Sequence, residues 1–536
     1  MRLCKLAVEN YARLPRLELD VREHLVLVGA NDVGKTSILN MANLLLGASV
    51  QQVYQVLGVA DIDDKTAPLV VRGVLCDFSD VERAAFPDDI AIAADRSESL
   101  TIQLEVRVSE DDPDSVVVAR LFPETSGRSV SREQLGVLGW HLLPAGRGAV
   151  GDYFDGRRSP LRTLLAAAEL GSDGDNLRES LDDFNARLGS SSVLGGLRTR
   201  IAEQLSQSMP RTLIADNLSL RTTADPASDV LQDVSLFVKD EEGKHTAIKD
   251  QSDGVRQLMT MSFFDLAQDA ANIVAIDEPE LHLHASSQRT VADLFARGSA
   301  QRLLVTHSPY ILQRFEPAQV AVVKADRTVR QIPATKYKAV EKEKANWWSP
   351  HLLEALTSRH VLLVEGVADK IIVEAAARAR NVNLDRLGVT VLDIGGAGNF
   401  SHVNTLLGEN GFGLHLMGLV DLAESPPWIG GLKVKPKNVN VEKAFVCTAD
   451  LEDEYVLAMG APAVAAALIT EGVAREQGIL QSTASANIAS IQNGPMAEYL
   501  RKDKIVNAVA VGNHLTDAQV TAMPAINGLL TYITTQ

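Results

Sequence analysis

Two groups of residues in this 536-residue chain have types and spacings suited to chemistry. The first is Gly29-Ala30-Asn31-Asp32-Val33-Gly34-Lys35-Thr36-Ser37, which fits the phosphate-loop pattern G-x-x-x-x-G-K-[ST]. Gly29 and Gly34 let a backbone wrap closely around a diphosphate with N–H groups turned inward, and Asn31 counts among the binding residues. Lys35 would neutralise the β- and γ-phosphates, and Thr36 would set its hydroxyl on Mg²⁺. The helix from Ser37 onward would aim its positive end at the same phosphates. An ordinary strand–turn–helix with two glycines is the alternative, but the apolar run ending at Val28 supplies the context the motif requires.

Three more stretches share that half of the chain. Asp277 and Glu278 close the apolar run 272–276. In ATPases with such a loop the first acid supports the Mg²⁺ shell, and the second orients and deprotonates the attacking water. His307 follows the apolar run 303–305, where it could sense or polarise a γ-phosphate; a satisfied structural histidine is the competing reading. Ser252 and Gly254 lie ahead of a helix expected from about Val255, and a hydroxyl and an N–H at a helix start suit an anion. The loop 29–37 already supplies one anion site, so a second suggests a nucleotide shared between two subunits.

The second group is acidic. Glu365 ends the apolar run 361–364, Asp369 sits one turn into the following helix, and Asp421 ends the run 416–420. Acids at the ends of neighbouring strands form an oxygen-rich pocket for Mg²⁺ or Mn²⁺. Simple helix capping is the alternative for any one of them.

These residues need elements to hold them. Alternation over 2–9 and 16–28 predicts a strand pair leading into the phosphate loop, with a helix over 37–47. Segments 69–78, 100–108 and 115–122 read as a strand meander. From 128 to 225 helical spacing dominates, over 161–170, 176–188 and 196–209 in particular. A helical insertion serving dimerisation is expected there, between ATPase parts at 1–127 and 226–335. The turn 240–244 predicts a hairpin. A lysine-rich linker is expected over 336–357, then alternating strands and helices of a small parallel sheet over 358–450, then helices over 451–536. The fold class expected is therefore α/β, two domains with a helical insertion and a helical C-terminal region.

Composition bounds the rest. A formal charge of −17 argues against a protein that coats nucleic acid indiscriminately, so any such contact needs local basic patches. Lys433, Lys435, Lys437 and Lys443 form one patch, with Trp428 nearby; Lys336, Lys338, Lys342 and Lys344 form another beside Trp347 and Trp348. For both, plain solvated loops are the alternative. Three widely spaced cysteines, Cys4, Cys76 and Cys447, exclude a disulfide framework and a cysteine zinc site, and fit a reducing cytoplasm. No membrane span is expected.

The order of phosphate loop, long insertion, Ser252-x-Gly254, Asp277-Glu278-Pro279-Glu280-Leu281-His282-Leu283-His284 and Thr306-His307-Ser308-Pro309 resembles the ABC-type ATPases of the chromosome-maintenance and DNA-repair kind. Within that group the Glu278–His284 run is similar to the OLD (overcoming lysogenization defect) family, and 360–425 resembles its Toprim domain. The resemblance implies that Ser252 and Gly254 complete a partner subunit's ATP site, that Glu278 is the hydrolytic base, and that His307 is the switch histidine. It gives Glu365 an acid/base or metal role and makes Asp369 and Asp421 metal holders. It also implies a downstream acid, for which Glu452 fits best, and a lysine, for which Lys504 fits and would stabilise the phosphorane or leaving group. Toprim strands usually end Asp-x-Asp, whereas this chain has Asp421-Leu422-Ala423-Glu424. Glu424, Asp450 and Glu454 are candidate substitutes for the missing carboxylate. The expected function is an ATPase coupled to a metal-dependent DNA endonuclease, acting as a homodimer or higher oligomer. A role in anti-phage defence with an accessory defence protein comes with the family. The alternative is an ATP-dependent sensor or scaffold whose degenerate Toprim binds DNA or a partner protein without cutting.

Overall fold

A computed structural model of the chain describes residues 1–145, 190–209, 212–222, 234–239, 243–266, 272–298, 300–338, 340, 343–344 and 348–535. The chain divides into two compact units, Met1–Val329 and Arg330–Gln536.

The first unit is built on a parallel sheet in the order Val320–Val323, Leu25–Val28, Gln301–Val305, Ile273–Asp277, Trp140–Leu143. Leu25–Val28, Ile273–Asp277, Gln301–Val305 and Val320–Val323 are buried along their whole length, which is why they read as unbroken apolar runs rather than alternating ones. The helix Lys35–Leu46 follows the phosphate loop and buries Ile38, Leu39, Met41, Leu44, Leu45 and Leu46, each contributing roughly 1.5–3 kcal/mol. A second, antiparallel sheet runs Leu17–Asp20, Arg2–Glu9, Leu69–Cys76, Glu98–Val108, and the last of these also pairs Val116–Leu121. The expected strand over 16–28 is thus two strands in two different sheets, broken at Val21–His24. The hairpin pairs Val234–Lys239 with His245–Ala247 as expected, its turn 240–242 lying outside the described residues.

Three sequence expectations need correcting. The span 128–225 is not purely helical. It holds Trp140–Leu143, the edge of the central sheet, and Leu218–Thr222, a strand paired with Val234–Lys239. Trp140–Leu143 is only four residues and mostly half-exposed, so it carried no strand pattern to read. Of the predicted helices, Ser192–Ser208 is present, while 161–170 and 176–188 lie outside the described residues. The linker 336–357 is not free at its end: Trp348, Leu352, Leu353, Ala355 and Leu356 are buried, over the turns Pro350–Leu353 and Glu354–Thr357. Finally, Cys4 and Cys76 are joined across neighbouring strands, with Cα atoms 6.2 Å apart. Separation in sequence says nothing about antiparallel register, which brings them together.

The second unit is a parallel sheet in the order Val389–Asp393, His360–Val364, Leu416–Val420, Ala444–Val446. Its helices, including Val367–Ala379, Leu451–Met459, Ala461–Thr470 and Lys504–Gly512, share one apolar core with the sheet, so the C-terminal helices are part of the domain and not an appendage. Among the described residues no single helix is long and apolar enough to cross a membrane.

Candidate nucleotide site and candidate metal centre

In the first unit the phosphate loop leaves the C-terminal end of Leu25–Val28, His307 follows the neighbouring strand Gln301–Val305, and Asp277 ends the next strand beyond it. Open parallel sheets place ligands at this edge. Gly29 has φ 147°, and a Cβ there would meet the Val323 carbonyl oxygen at 2.2 Å, so no other residue fits. Lys35 is buried and donates from Nζ to the carbonyls of Gly29 (3.0 Å) and Ala30 (2.6 Å). Burial brings its pKa down to about 8, against the pull of Glu278, Asp277, Glu280 and Asp32. Thr36 Oγ1 donates to Asp277 Oδ1 at 3.3 Å, so the two groups expected to share a cation already adjoin. Glu278 is held at φ 49°, a backbone strain that loops keep at working positions. Its carboxylate is 3.9 Å from His307 Nε2. Burial, then Lys35, drops the His307 pKa to about 4, leaving the ring neutral at pH 7.

Gly34, Lys35, Thr36, Ser37, Asn31, Glu278 and His307 line one cavity of about 610 Å³. Arg13 and Arg327 line it too, and neither stood out in the sequence. Arg327 donates to the Arg13 carbonyl at 2.8 Å, and Arg13 pairs with Asp61 at 3.0 Å. Only the fold brings these lone loop arginines to the loop 29–37. Glu280 was also missed. Half-buried, it accepts from the Thr306 hydroxyl (2.8 Å) and the His307 N–H (2.5 Å), and so fixes the backbone that carries the histidine. Ser252 and Gly254 are not among the residues lining the cavity. Gly254 is the second residue of the helix Asp253–Leu266, which starts two residues earlier than expected, and a Cβ on it would come within 2.8 Å of the His282 carbonyl oxygen. The signature glycine is therefore packed on the loop that carries Glu278.

In the second unit the strands His360–Val364 and Leu416–Val420 lie side by side and parallel, which brings Glu365 and Asp421 together. One carboxylate oxygen from each of Glu365, Asp421 and Glu424 falls within 4.8 Å of the others. Glu365 Oε1 accepts the Asp421 N–H (2.9 Å), and Asp421 Oδ1 accepts the Leu451 N–H (3.0 Å). Asp369 accepts the Gly366 N–H at 2.8 Å, so it caps its helix as well as facing the cluster. Burial, then Glu365 and Asp369, pushes Asp421 up to about 8; burial, opposed by the Gly366 N–H, takes Asp369 to about 6. Glu365 is raised too, mostly by burial. Glu452 is 3% exposed and pairs with Lys504 Nζ at 3.1 Å. Burial disfavours the Lys504 charge, but Glu452 outweighs it and the pKa rises.

The three candidate substitutes separate. Glu424 joins the cluster. Asp450 caps the helix Leu451–Met459 and is held by Arg501 at 2.6 Å. Glu454 is buried and accepts the N–H groups of Thr448 (3.2 Å) and Ala525 (2.7 Å), which spends it on tying the last helix down. The tryptophan beside the lysine patch was misread. Trp428 is 0% exposed, stacked on Phe400 at 4.5 Å in a recess that Gly418 leaves open, so it serves the core. Trp348 likewise stacks on Phe412. Lys433, Lys435 and Lys437 are exposed, with Lys433 paired to Glu409. Lys342 and Trp347 lie outside the described residues.

Residues 25–313 match the family described as AAA domain, putative AbiEii toxin, Type IV TA system. Residues 356–422 match the TOPRIM domain of the overcoming lysogenization defect protein-like family. Endonuclease GajA of Bacillus cereus (strain VD045) is 24% identical over 251 residues, 44% of this chain and 41% of that protein. The chain thus spans about two-fifths of that relative's length. Among solved structures, an Smc head bound to the C-winged helix domain of ScpA is 17% identical with a TM-score of 0.42, covering 62% of this chain and 98% of that one. An Smc head bound to the C-terminal domain of ScpA, derived from Pyrococcus furiosus, is 15% identical with a TM-score of 0.45, covering 64% and 99%. Likeness at that score carries nothing by itself.

Proposed function

Because this chain belongs to the AAA-domain family of putative AbiEii toxins, with an overcoming lysogenization defect protein-like TOPRIM domain behind it, we propose that it is an ATP-hydrolysing switch coupled to metal-dependent cleavage of DNA. The observation that carries the proposal is the meeting of Glu365, Asp421 and Glu424 at the ends of parallel strands, with the Lys504–Glu452 pair beside them. Similarity to an endonuclease over 44% of the chain supports it.

In the first unit, Lys35 and the N–H groups of 29–37 would hold the β- and γ-phosphates of ATP, with Thr36 and Asp277 sharing Mg²⁺. Glu278 would take the proton of the attacking water, and neutral His307 would hold that carboxylate in place. Ser252 and Gly254 of one copy would complete the site of another, which makes a homodimer or a higher homo-oligomer the working form. In the second unit, Glu365, Asp369, Asp421, Glu424 and Glu452 fit a hard divalent cation, since they offer only oxygen, and burial with neighbouring carboxylates raises the pKa of Asp421 and Asp369. Mg²⁺ or Mn²⁺, when bound there, would polarise the phosphodiester and ready a water for attack. Glu365 would manage the proton of that water, and Lys504 would steady charge on the phosphoryl oxygens or the leaving group. Lys433, Lys435 and Lys437 would hold phosphates without reading sequence. Anti-phage defence in the cytoplasm, with an accessory defence protein, follows from the family resemblance.

Ala423 favours a second reading, a sensor or scaffold that binds DNA or a partner without cutting; Glu424 counts against it. The test is supercoiled plasmid with Mg²⁺ or Mn²⁺, with and without ATP, beside Glu365→Ala and Lys35→Ala. Nicking that vanishes in Glu365→Ala supports the nuclease. ATP hydrolysis without cleavage under any metal condition would leave the sensor standing.

A further inference from the structure

Arg327 is a cation held on a strained backbone. It sits in the turn that joins Val320–Val323 to Val329–Gln331, with φ 64°. That left-handed region favours glycine or asparagine, so an arginine there is strained. The turn has no need of its side chain. Lys324 N–H donates to the Thr328 carbonyl and Arg327 N–H to the Lys324 carbonyl, both at 2.9 Å. Asp326 Oδ1 accepts the Thr328 N–H (2.9 Å) and the Thr328 hydroxyl (2.6 Å). The guanidinium instead donates to the Arg13 carbonyl at 2.8 Å and lines the cavity over the loop 29–37. Among the described residues no carboxylate pairs with it. Arg13, by contrast, has its charge met by Asp61 at 3.0 Å. Strain kept for an unmatched cation on a cavity wall points to an anionic ligand.

The side of the cavity on which Arg327 stands tells which part of a nucleotide it meets. Along this edge of the sheet the order is the Arg327 turn, the loop 29–37, His307, then Asp277 and Glu278. The Val323 carbonyl lies against Gly29, so the strand entering the turn is packed on the first residue of the loop. Lys35 spans the loop between the two sides. The γ-phosphate must face Glu278 and His307 if water activated there is to attack it. The α-phosphate and the nucleoside then lie toward the opposite side, with Arg327. A charged fork of N–H donors binds phosphate oxygens more strongly than the neutral acceptors of a base. We infer that Arg327 holds the α-phosphate of the bound nucleotide. This rests on the proposed ATP site. The contact is remote from the bond that breaks, so it adds affinity equally before and during the reaction.

The experiment measures nucleotide binding apart from turnover. Full-length wild type, Arg327→Gly and Arg327→Lys are titrated with ribose-labelled fluorescent ADP, which is then displaced by ADP, inosine diphosphate or pyrophosphate. Glycine suits φ 64°, so Arg327→Gly should melt no lower than wild type. It should bind ADP and inosine diphosphate about tenfold more weakly, by the same factor for both. Pyrophosphate, seated on Lys35, should bind both proteins alike. Arg327→Lys should recover part of the loss. In steady-state ATP hydrolysis, KM should rise about tenfold in Arg327→Gly with kcat within about twofold. Wild-type ADP affinity in Arg327→Gly overturns the inference and leaves the ATP site standing. A loss shared by pyrophosphate overturns it as well, because the contact would then be with the outer phosphates. So does a changed ratio of ADP to inosine diphosphate affinity, which would assign Arg327 to the base. Wild type that binds no ADP at all removes the ATP site and the inference together.

Discussion

Raising the pH should tighten divalent-metal binding to the second unit by a predictable amount. In the metal-free protein, burial and the neighbouring carboxylates push Asp421 up to about 8, so it keeps its proton at pH 7. A cation must displace that proton. Between pH 6 and pH 8 a single group with this pKa changes the apparent affinity by about 50-fold, tighter at the higher pH, and Asp369 adds about twofold. Above pH ~9 the dependence should flatten. Calorimetric titration with Mn²⁺ or Ca²⁺, repeated in buffers of different ionisation enthalpy, counts the protons released directly. Asp421→Asn should remove most of the slope. The sign for stability runs the other way. A folded pKa above the ordinary carboxylate value means that the folded state holds more protons than the unfolded chain between pH ~4 and ~8. Stability without metal therefore falls as pH rises through that window, and added divalent ion should restore it. An affinity constant from pH 6 to 8, or a slope that survives in Asp421→Asn, would refute the crowding of these acids.

Other perturbations separate structural from chemical roles. Glu280→Ala removes two hydrogen bonds to a half-buried carboxylate and should cost about 2 kcal/mol in urea unfolding while slowing ATP turnover; wild-type turnover would deny that Glu280 positions His307. Gly254→Ala forces a Cβ against the His282 carbonyl and should destabilise the first unit by about 1–3 kcal/mol, seen as a lower melting temperature. Trp428→Ala should cost about 3–5 kcal/mol and leave DNA affinity per folded molecule unchanged, since the ring is in the core. Glu424→Ala should weaken Mn²⁺ binding, and Ala423→Asp in that background should recover part of it; no effect of either would remove Glu424 from the metal set.

What the sequence disclosed was whatever lies on short range. The phosphate loop with its strand and helix, Asp277 and Glu278 at a strand end, and Glu365 and Asp421 on parallel neighbours were all legible, because buried parallel strands leave unbroken apolar runs that point at the acids closing them. What stayed hidden depends on distant pairing. Arg13 and Arg327 reach one cavity from loops 314 residues apart. Trp140–Leu143 is a strand only because Ile273–Asp277 pairs with it. The choice among Glu424, Asp450 and Glu454 turned on where Arg501 and the Ala525 amide stand, and no local pattern reports that. Trp428 looked like a nucleic-acid contact until Gly418, on another element, proved to make room for it.

The acids of the second unit are also its stitching. Glu365 takes the Asp421 amide, Asp421 takes the Leu451 amide, and Asp369 takes the Gly366 amide, so the loops leaving three successive strands are tied by the side chains that face the cluster. Drift at these positions is therefore exposed to selection on folding as well as on chemistry, and the acids can persist in a lineage that no longer cuts. Their presence in a relative is then poor testimony of activity. For the same reason, amide replacements such as Glu365→Gln and Asp421→Asn, which keep an acceptor oxygen for each loop, are cleaner knockouts than alanine.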